Sequence, residues 1–252
     1  MAHRVIQSQK VVITGSNRGI GLQFVKQFLS KGNSVVATAR NVEKASELQR
    51  LAGESDGRLT IASLDVADPA SIEKFPSAVP FDHVDVLINN AGIALPQRAL
   101  EDTSADVLID TFRTNTVGPL LVVKAMLGAG KIGGSQKSIV ANVTSKMGSI
   151  DDNGSGGSYA YRASKCALNI VTKSLSIDME SKNVDTILLH PGWVKTDMTR
   201  QSGLITDVQS VEVRWLSAFP RGVITQSLTH SLTHSRSVCL SVSLSLSHVL
   251  GA

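Results

Sequence analysis

Short runs of β-branched and aliphatic residues alternate with helical patterns through about the first 195 residues of this 252-residue chain. Six runs have this character, at 11–14, 34–38, 59–62, 84–88, 138–143 and 186–189. Each run is apolar at nearly every position rather than at alternate positions, as expected where both faces of a sheet are covered. Repeated strand–helix alternation indicates right-handed βαβ units. The sequence therefore predicts an α/β fold, a doubly wound parallel sheet with helices on both faces.

Length, charge and cysteine content narrow the class of protein. A chain of this length forms one large domain or two small ones, and the lack of a linker-like stretch in its first two thirds favours one. The net charge of +4 comes from dispersed basic residues, which do not predict a nucleic-acid interface. Cys166 and Cys239 stand far apart without metal-ligand spacing, which suits a reducing compartment. No signal peptide or membrane span is recognisable, so we expect a cytoplasmic protein without metal, nucleic-acid or membrane partners.

A glycine-rich segment joins the first predicted strand to the first predicted helix. This glycine segment reads Thr14-Gly15-Ser16-Asn17-Arg18-Gly19-Ile20-Gly21. Glycines at such a turn let the backbone approach a pyrophosphate, and the amides at the start of the next helix stabilise its negative charge. Three glycines alone are a weak signal, but their position between a strand and a helix is specific. The segment predicts the phosphate-binding part of a Rossmann-type dinucleotide site.

The end of the second predicted strand indicates which dinucleotide is bound. It reads Thr38-Ala39-Arg40, where sites that prefer NAD usually place a carboxylate for the ribose 2′-hydroxyl. Arg40 and Arg18 offer two planar guanidinium groups, whose paired donors suit a 2′-phosphate. Two solvated surface arginines are the alternative, because arginine is mostly exposed in proteins. We expect NADP(H) to be favoured over NAD(H).

Tyr161 and Lys165 form the most specific pair of side chains in the sequence. They stand four residues apart in the run Tyr-Arg-Ala-Ser-Lys, so on a helix they share one face. An ammonium group close to a phenol favours the phenolate and lowers the phenol pKa. At about 4 Å and an effective dielectric constant of ~20, the interaction is worth about 4 kcal/mol, or roughly three pKa units. Tyr159, followed four residues later by Ala163, lacks such a lysine. The pair alone is a weak signal, because tyrosine and lysine also meet on many solvated helices.

Taken together, these features make the sequence resemble the short-chain dehydrogenase/reductase family over about residues 8–212. Further motifs of the family follow in the expected order: Asp65-Val66, Asn89-Asn90-Ala91-Gly92, Asn115, Ser145 and Pro191-Gly192. Asn115 falls within a helical stretch predicted over about 104–127. The phrases Tyr-Arg-Ala-Ser-Lys and His-Pro-Gly-Trp-Val-Lys-Thr-Asp-Met are similar to the C-factor-like, carbonyl-reductase-like branch.

The resemblance implies a role for each of four residues that would carry the reaction. Ser145 would hold and polarise a substrate carbonyl, with neighbouring Thr144 as the less favoured candidate. Tyr161 would give a proton as hydride arrives from the nicotinamide, and Lys165 would lower the pKa of Tyr161 and bind the nicotinamide ribose. Asn115 would anchor a water that relays protons to Lys165. A serine and a tyrosine that converge on one oxygen make chemical sense, because the proton donor must lie close to the oxygen that develops charge.

The resemblance also implies contacts with the cofactor beyond the glycine segment and the two arginines. Asp65 would meet the adenine, residues 89–92 would pass beneath the adenine ribose, and Thr196 would meet the nicotinamide carboxamide. The residues assigned to the cofactor in this way are Asp65, Val66, Asn89, Ala91, Gly92, Pro191, Gly192, Val194 and Thr196, together with Tyr161 and Lys165. For His190, which precedes the Pro-Gly turn, we expect a structural role.

An insertion separates the serine from the tyrosine. It reads Asp-Asp-Asn-Gly-Ser-Gly-Gly over 151–157 and is longer than in many members of the family. By the resemblance it borders the substrate cleft, so we expect it to shape specificity.

The C-terminal end departs further from the family pattern. After about Val213 the usual last helix and seventh strand are not recognisable, and serine, leucine and histidine dominate from Gln226 onward. We therefore divide the chain into an NADP-binding catalytic domain, 1–212, and a divergent tail, 213–252, which we expect to be poorly ordered. Apolar residues alternate with serine over 240–247, so an added edge strand is the alternative.

The sequence as a whole predicts an NADPH-dependent oxidoreductase. It would reduce a small carbonyl compound, an aldehyde, ketone or quinone, to an alcohol, and a homodimer is left open. The altered C-terminus leaves two alternatives, an NADP-binding regulatory protein without turnover and a chain that does not fold stably. The second arises because losing a core strand exposes the hydrogen-bonding groups of a sheet edge.

Overall fold

The computed structural model describes residues 7–95, 99–199, 201–212 and 238–240. Within them the backbone forms seven strands: β1 (Lys10–Ile13), β2 (Ser34–Ala39), β3 (Leu59–Ser63), β4 (Val86–Asn89), β5 (Ser138–Val143), β6 (Val184–Leu189) and β7 (Val238–Leu240). All neighbouring strands pair in parallel, in the order β3-β2-β1-β4-β5-β6-β7. The predicted parallel sheet is confirmed.

Helices connect the strands. In the described part of the chain they are α1 (Gly19–Ser30), α2 (Ser46–Gly53), α3 (Pro69–Lys74), α4 (Ala105–Phe112), α5 (Gly118–Gly128), α6 (Tyr159–Asp178) and α7 (Asp207–Glu212). Short 3₁₀ turns lie at Phe75–Ala78, Lys146–Gly148, Glu180–Lys182 and Asp197–Thr199. A π turn, Arg113–Val117, joins α4 to α5, so the helix predicted over about 104–127 is these three pieces in succession. None of these helices is both long and apolar enough to cross a membrane.

Two apolar layers cover the two faces of the sheet. Along β1, Val11 and Ile13 belong to one layer and Val12 to the other, because successive side chains of a strand point to opposite faces. Helix α1 packs on the first layer through Phe28, and α5 packs on the second through Met126. Coverage of both faces explains why the strands are apolar at consecutive positions.

The strand order places the functional site. Strands β2 and β3 lie on one side of β1, whereas β4, β5 and β6 follow in order on the other side. After β3 the chain crosses over β1 to form β4 on its other side, so the strand order changes direction at the boundary between β1 and β4. In open parallel sheets, ligands bind at such a switch point, in the crevice outside the carboxyl ends of the strands. The glycine segment leaves β1 at this point, and residues 89–92 leave β4 beside it.

A seventh strand lies within the divergent tail. Residues Val238–Leu240 pair in parallel with Ile187–Leu189 of β6. An edge strand is therefore present over three residues, whereas the alternative offered by the sequence lies over 240–247 and stays a prediction. Of the alternation over 240–247, only Leu240 is within this strand. The rest of 213–252 lies outside the described residues, so its poor order stays a prediction.

The core assignment can be tested at Phe28, which is 1% exposed. Replacing Phe28 by alanine is expected to lower the free energy of unfolding by about 3–5 kcal/mol, because the change removes buried apolar surface and leaves a cavity. Ile177→Ala, at a side chain that is 59% exposed, should change the free energy of unfolding by about 0.5 kcal/mol or less. Denaturant titration of both variants measures the difference, and equal losses would contradict the assignment.

Candidate active site

Helix α6 carries Tyr161 and Lys165 on one face, as their spacing predicts. Lys165 Nζ lies 5.9 Å from the centre of the Tyr161 ring. The Lys165 side chain is 5% exposed and Tyr161 is half-buried, whereas Tyr159, the alternative tyrosine, is 42% exposed. The lysine and its tyrosine therefore meet in a largely dry site rather than on a solvated helix surface.

The Lys165 amine is held at the end of β5. Its Nζ donates a hydrogen bond of 2.8 Å to the carbonyl oxygen of Val143. Burial disfavours the charged form and lowers the pKa of Lys165 to about 8. At pH 7 most of the amine is still protonated, so a cation remains close to the phenol.

The Ser145 hydroxyl is the side-chain hydrogen-bonding group that acts on the Tyr161 phenol. Burial raises the pKa of Tyr161 above its ordinary value, and the hydrogen bond with Ser145 acts more weakly in the opposite direction. The sequence prediction of a lowered phenol pKa is therefore wrong for this structure, because loss of solvation dominates the environment of the phenol. At neutral pH the phenol keeps its proton, which is the state that a proton donor requires.

Ser145 caps the 3₁₀ turn that follows β5. Its Oγ accepts a hydrogen bond of 3.2 Å from the Met147 amide. Thr144, the alternative hydroxyl, is 4% exposed and donates to Asn169 Oδ1 at 2.6 Å. Of the two neighbouring hydroxyls, it is therefore Ser145 that contacts the Tyr161 phenol.

Asn115 lies in the π turn between α4 and α5 and is fully buried. Its Nδ2 donates to the Ile93 carbonyl oxygen at 2.8 Å and to Ser164 Oγ at 3.0 Å, while its Oδ1 accepts from the Ile93 amide at 2.8 Å. A Cβ atom added to Gly92 would lie 3.1 Å from Asn115 Oδ1 and 3.7 Å from Lys165 Nζ. Asn115 therefore fixes the segment after β4 against α6, beside Lys165. Its role in holding a water stays a prediction.

The glycine segment and the segment after β4 are in direct contact. Gly15 has a φ of +64°, and a Cβ atom there would lie 2.8 Å from Ala91 Cα. Asn90 Nδ2 donates to the carbonyl oxygens of Thr14 at 3.0 Å and Gly15 at 2.9 Å. A Cβ atom on Gly21 would collide with the Gly15 carbonyl oxygen. A side chain at Gly15 would therefore force the two loops apart, and one at Gly21 would distort the glycine segment itself.

The start of α1 is open to an anion. Arg18 occupies the N-cap position without a capping hydrogen bond from its side chain, and the first turn holds no acidic residue. Free amides and the positive end of the helix dipole together attract phosphate groups. Asn17 is exposed, whereas Ser16 is buried and donates its hydroxyl to the Ile13 carbonyl oxygen at 2.7 Å. The Ser16 side chain is therefore not available to a cofactor, and its amide donates to the Thr38 carbonyl oxygen at 2.8 Å, so its contact with a cofactor stays a prediction.

The two arginines are both at the surface. Arg40 is exposed at the residue after β2. Arg18 Nη1 forms an ion pair of 3.1 Å with Asp197 Oδ2, and the two side chains are 68% and 66% exposed. Such an exposed pair contributes little to stability, so another anion could replace the carboxylate at small cost. This role of Asp197 is not evident from the sequence.

Two of the expected adenine-side residues point away from the crevice. Asn89 is 2% exposed, and its Nδ2 donates to Asn142 Oδ1 at 2.9 Å. Its side chain is therefore part of the core, and the expected passage of residues 89–92 beneath the adenine ribose stays a prediction about the backbone. Val66 is 7% exposed and packs in the core, while Asp65 accepts at Oδ1 from the Ala67 amide at 2.9 Å. The contact of Asp65 with an adenine stays a prediction.

The segment after β6 crosses towards the glycine segment. A Cβ atom on Gly19 would lie 3.5 Å from Thr196 Cγ2, so Thr196 is placed near the start of α1. Val194 is 2% exposed and forms an isolated bridge with Ile205. Of the residues predicted after β6, Thr196 is therefore close to the crevice, and the buried side chain of Val194 is not available to a ligand. Residues 191–192 form the turn that precedes them.

Ser164 is a part of the site that the sequence analysis missed. Its Oγ accepts from Asn115 Nδ2 at 3.0 Å and donates to the Tyr161 carbonyl oxygen at 2.8 Å. The Thr116 hydroxyl donates to the Ser164 carbonyl oxygen at 2.8 Å. Ser164 thus links the π turn to α6. The sequence feature that points to Ser164 is its position inside a helix. Serine is unfavourable there unless its hydroxyl forms a hydrogen bond with a nearby backbone group.

Comparisons with known proteins show the family to which this chain is similar. A family model described as short chain dehydrogenase matches residues 9–204. The C-signal protein of Myxococcus xanthus is 50% identical over 115 residues, which are 46% of this chain and 68% of that protein. The carbonyl reductase Sniffer of D. melanogaster has a TM-score of 0.74 at 35% identity, covering 82% of this chain and 89% of that one. An NADPH-bound carbonyl reductase from chicken fatty liver has a TM-score of 0.73 at 34% identity, with coverages of 82% and 89%.

The lowered pKa of Lys165 predicts a pH dependence of stability. With a pKa of about 8 in the folded chain and an ordinary value of 10.5 when unfolded, the amine binds fewer protons in the folded state between these values. The free-energy cost of burying the charged amine therefore applies in full below pH 8. It decreases as the pH rises towards 10.5, where the amine loses its proton in the unfolded chain as well. Relative to Lys165→Met, wild type should gain about 2 kcal/mol of unfolding free energy between pH 8 and pH 10.

Urea unfolding at the two pH values measures this gain. Lys124→Met, at an exposed position of α5, is the matched control and should keep a constant difference from wild type. If the difference in unfolding free energy between wild type and Lys165→Met were also the same at pH 8 and pH 10, the lowered pKa of the buried amine would be contradicted.

Proposed function

The chain belongs to the short-chain dehydrogenase family, and on that premise we propose that it is an NADPH-dependent enzyme that reduces a small aldehyde, ketone or quinone to an alcohol. The grouping of Ser145, Tyr161 and Lys165 carries the proposal. Lys165 lies beside the segment after β4, which in turn contacts the glycine segment. Structural neighbours named as carbonyl reductases, one of them bound to NADPH, support the substrate class and the cofactor.

The residues present fit a phosphorylated dinucleotide. The pyrophosphate is assigned to the open start of α1, where Gly15 and Gly21 keep side chains out of the approach. The 2′-phosphate is assigned to Arg18 and Arg40, which are exposed at the adjoining end of the sheet. Binding there replaces the carboxylate of Asp197 as the partner of Arg18.

The proton in the reaction comes from Tyr161. When bound, NADPH supplies a hydride to the carbonyl carbon. Ser145 and Tyr161, which hydrogen-bond to each other, are placed to donate together to the carbonyl oxygen of a substrate between them. As negative charge develops on that oxygen, the phenol O–H bond of Tyr161 breaks and the alcohol O–H bond forms. The Lys165 ammonium group stabilises the phenolate that remains.

Removal of the phenol tests the proton donor. Tyr161→Phe should lower the turnover of aldehydes, ketones or quinones by about 100-fold or more, because the developing oxyanion loses its acid. The dissociation constant for NADPH should change less than about three-fold. Tyr159→Phe, at the exposed neighbouring tyrosine, is the control and should retain turnover. Oxidation of NADPH measures the rates, and calorimetry measures binding.

Two outcomes would count against the enzyme as proposed. Equal rates for Tyr161→Phe and wild type would remove Tyr161 from the mechanism. Tight NADPH binding by the wild-type chain without turnover of any carbonyl compound would favour a nucleotide-binding regulatory protein instead.

The cofactor preference can be tested at Arg40. Arg40→Ala should weaken the binding of NADPH about ten-fold, because it removes charge-assisted hydrogen bonds to the 2′-phosphate. NADH, which lacks that phosphate, should bind as it does to wild type. Arg50→Ala in α2, where the guanidinium pairs with Glu47 and Glu54, is the matched control and should affect neither cofactor. A parallel loss of NADH and NADPH binding by Arg40→Ala would contradict the assignment.

A further inference from the structure

One side chain of α6 fastens both ends of the turn that carries Ser145, residues 144–148, which we call the Ser145 turn. Thr144 Oγ1 donates to Asn169 Oδ1 at 2.6 Å, and Asn169 Nδ2 donates to the Gly148 carbonyl oxygen at 3.4 Å. A single amide group therefore bonds once on each side of Ser145. The first bond is short and the second is near the limit for a hydrogen bond, so the Thr144 end is the stronger link.

Asn169 shares a helix face with the proton donor. Tyr161, Lys165 and Asn169 follow one another at four-residue intervals, so their side chains form one stripe along α6. The phenol and the amide that anchors the turn are therefore carried by the same helix. Any shift of the Ser145 turn along α6 changes the distance between the Ser145 hydroxyl and the phenol.

Close packing holds the Ser145 turn against the helix backbone. A Cβ atom on Gly148 would lie 2.8 Å from the carbonyl carbon of Lys165, so only glycine allows this approach. Arg162 of α6 also reaches the turn, but its Nη1 lies 3.5 Å from the Met147 carbonyl oxygen. The bond between Thr144 and Asn169 is shorter than either of these polar links at the far end of the turn.

Other contacts attach the Ser145 turn to β6. The Thr144 amide donates to the Leu189 carbonyl oxygen at 2.8 Å, and the Lys146 amide donates to His190 Nδ1 at 3.3 Å. His190 therefore has the contact of a structural residue. These bonds fix the turn relative to the sheet, whereas its position relative to the phenol depends on its bonds to α6.

We propose that Asn169 is a positioning residue, which keeps the Ser145 hydroxyl at hydrogen-bond distance from the Tyr161 phenol by fastening the Ser145 turn to α6. Its effect on turnover rests on the proposed function, but the fastening of the Ser145 turn to α6 by Asn169 is present in the chain without a substrate. An amide with a merely structural role would affect stability without changing the environment of the phenol.

Tyrosine NMR tests this role without reference to activity. The chain has two tyrosines, so Tyr159→Phe leaves Tyr161 as the only one, and its ¹³Cζ resonance reports the hydrogen bond at the phenol. In this background at pH 7, Asn169→Ala should move the resonance in the same direction as Ser145→Ala and at least half as far. Because both changes act on one hydrogen bond, Asn169→Ala should cause no further shift once Ser145 is alanine.

The control is Ile170→Ala, at a neighbouring side chain of α6 that is 63% exposed, and it should leave the resonance in place. The proposal is overturned if Asn169→Ala behaves like this control, or if its shift adds to that of Ser145→Ala. If Asn169→Ala shows no cooperative thermal transition, Thr144→Val takes its place in the experiment. It removes the same hydrogen bond from the other end, and the same two outcomes for its resonance would overturn the proposal.

Turnover supplies a second readout. Asn169→Ala should lower kcat about ten-fold with less than a two-fold change in KM for NADPH, because a misplaced catalytic group slows the chemical step. It should cause no further loss in Ser145→Ala. The positioning role would be overturned if Asn169→Ala left kcat unchanged. It would also be overturned if Asn169→Ala lowered kcat ten-fold when added to Ser145→Ala. A wild-type chain without turnover would refute the proposed function instead, and the resonance would still decide the role of Asn169.

Discussion

Burial of the Lys165 amine at the end of β5 is the constraint on which the rest of the site depends. The amine donates to the Val143 carbonyl oxygen, so it ties α6 to the strand that leads into Ser145. The same loss of solvation lowers the pKa of Lys165 and raises the pKa of Tyr161. At neutral pH the site therefore holds a cation beside a phenol that still has its proton.

The half of the site that we propose for the nucleotide is built by close contact between two loops at the switch point of the sheet. Gly15 and Ala91 approach so closely that no side chain fits at Gly15, and the start of α1 is left open to phosphate. Asn115 joins the segment after β4 to α6 through Ile93 and Ser164. The segment after β4 thus connects the glycine segment to α6, so one fold aligns the proposed nucleotide site with Tyr161.

The sequence predicts the features that depend on residues close together in the chain. The strands β1 to β6, the glycine segment and the spacing of Tyr161 and Lys165 are all of this kind. The phenol pKa is not, because burial depends on the packing of distant segments. Arg18 and Asp197 are 179 positions apart, and their ion pair has no local pattern. Strand β7 has only three residues in a serine-rich tail, and Asn169 becomes recognisable only once the Ser145 turn is seen against α6.

The central claim is that a carbonyl oxygen is held between Ser145 and Tyr161. A crystal structure of the chain with NADP⁺ and an unreactive carbonyl analogue tests it most directly. We expect the oxygen of the analogue within about 3 Å of both Tyr161 Oη and Ser145 Oγ, with Lys165 on the far side of the phenol from the analogue. An analogue bound in the crevice with its oxygen held by other residues, out of reach of the phenol, would contradict the claim.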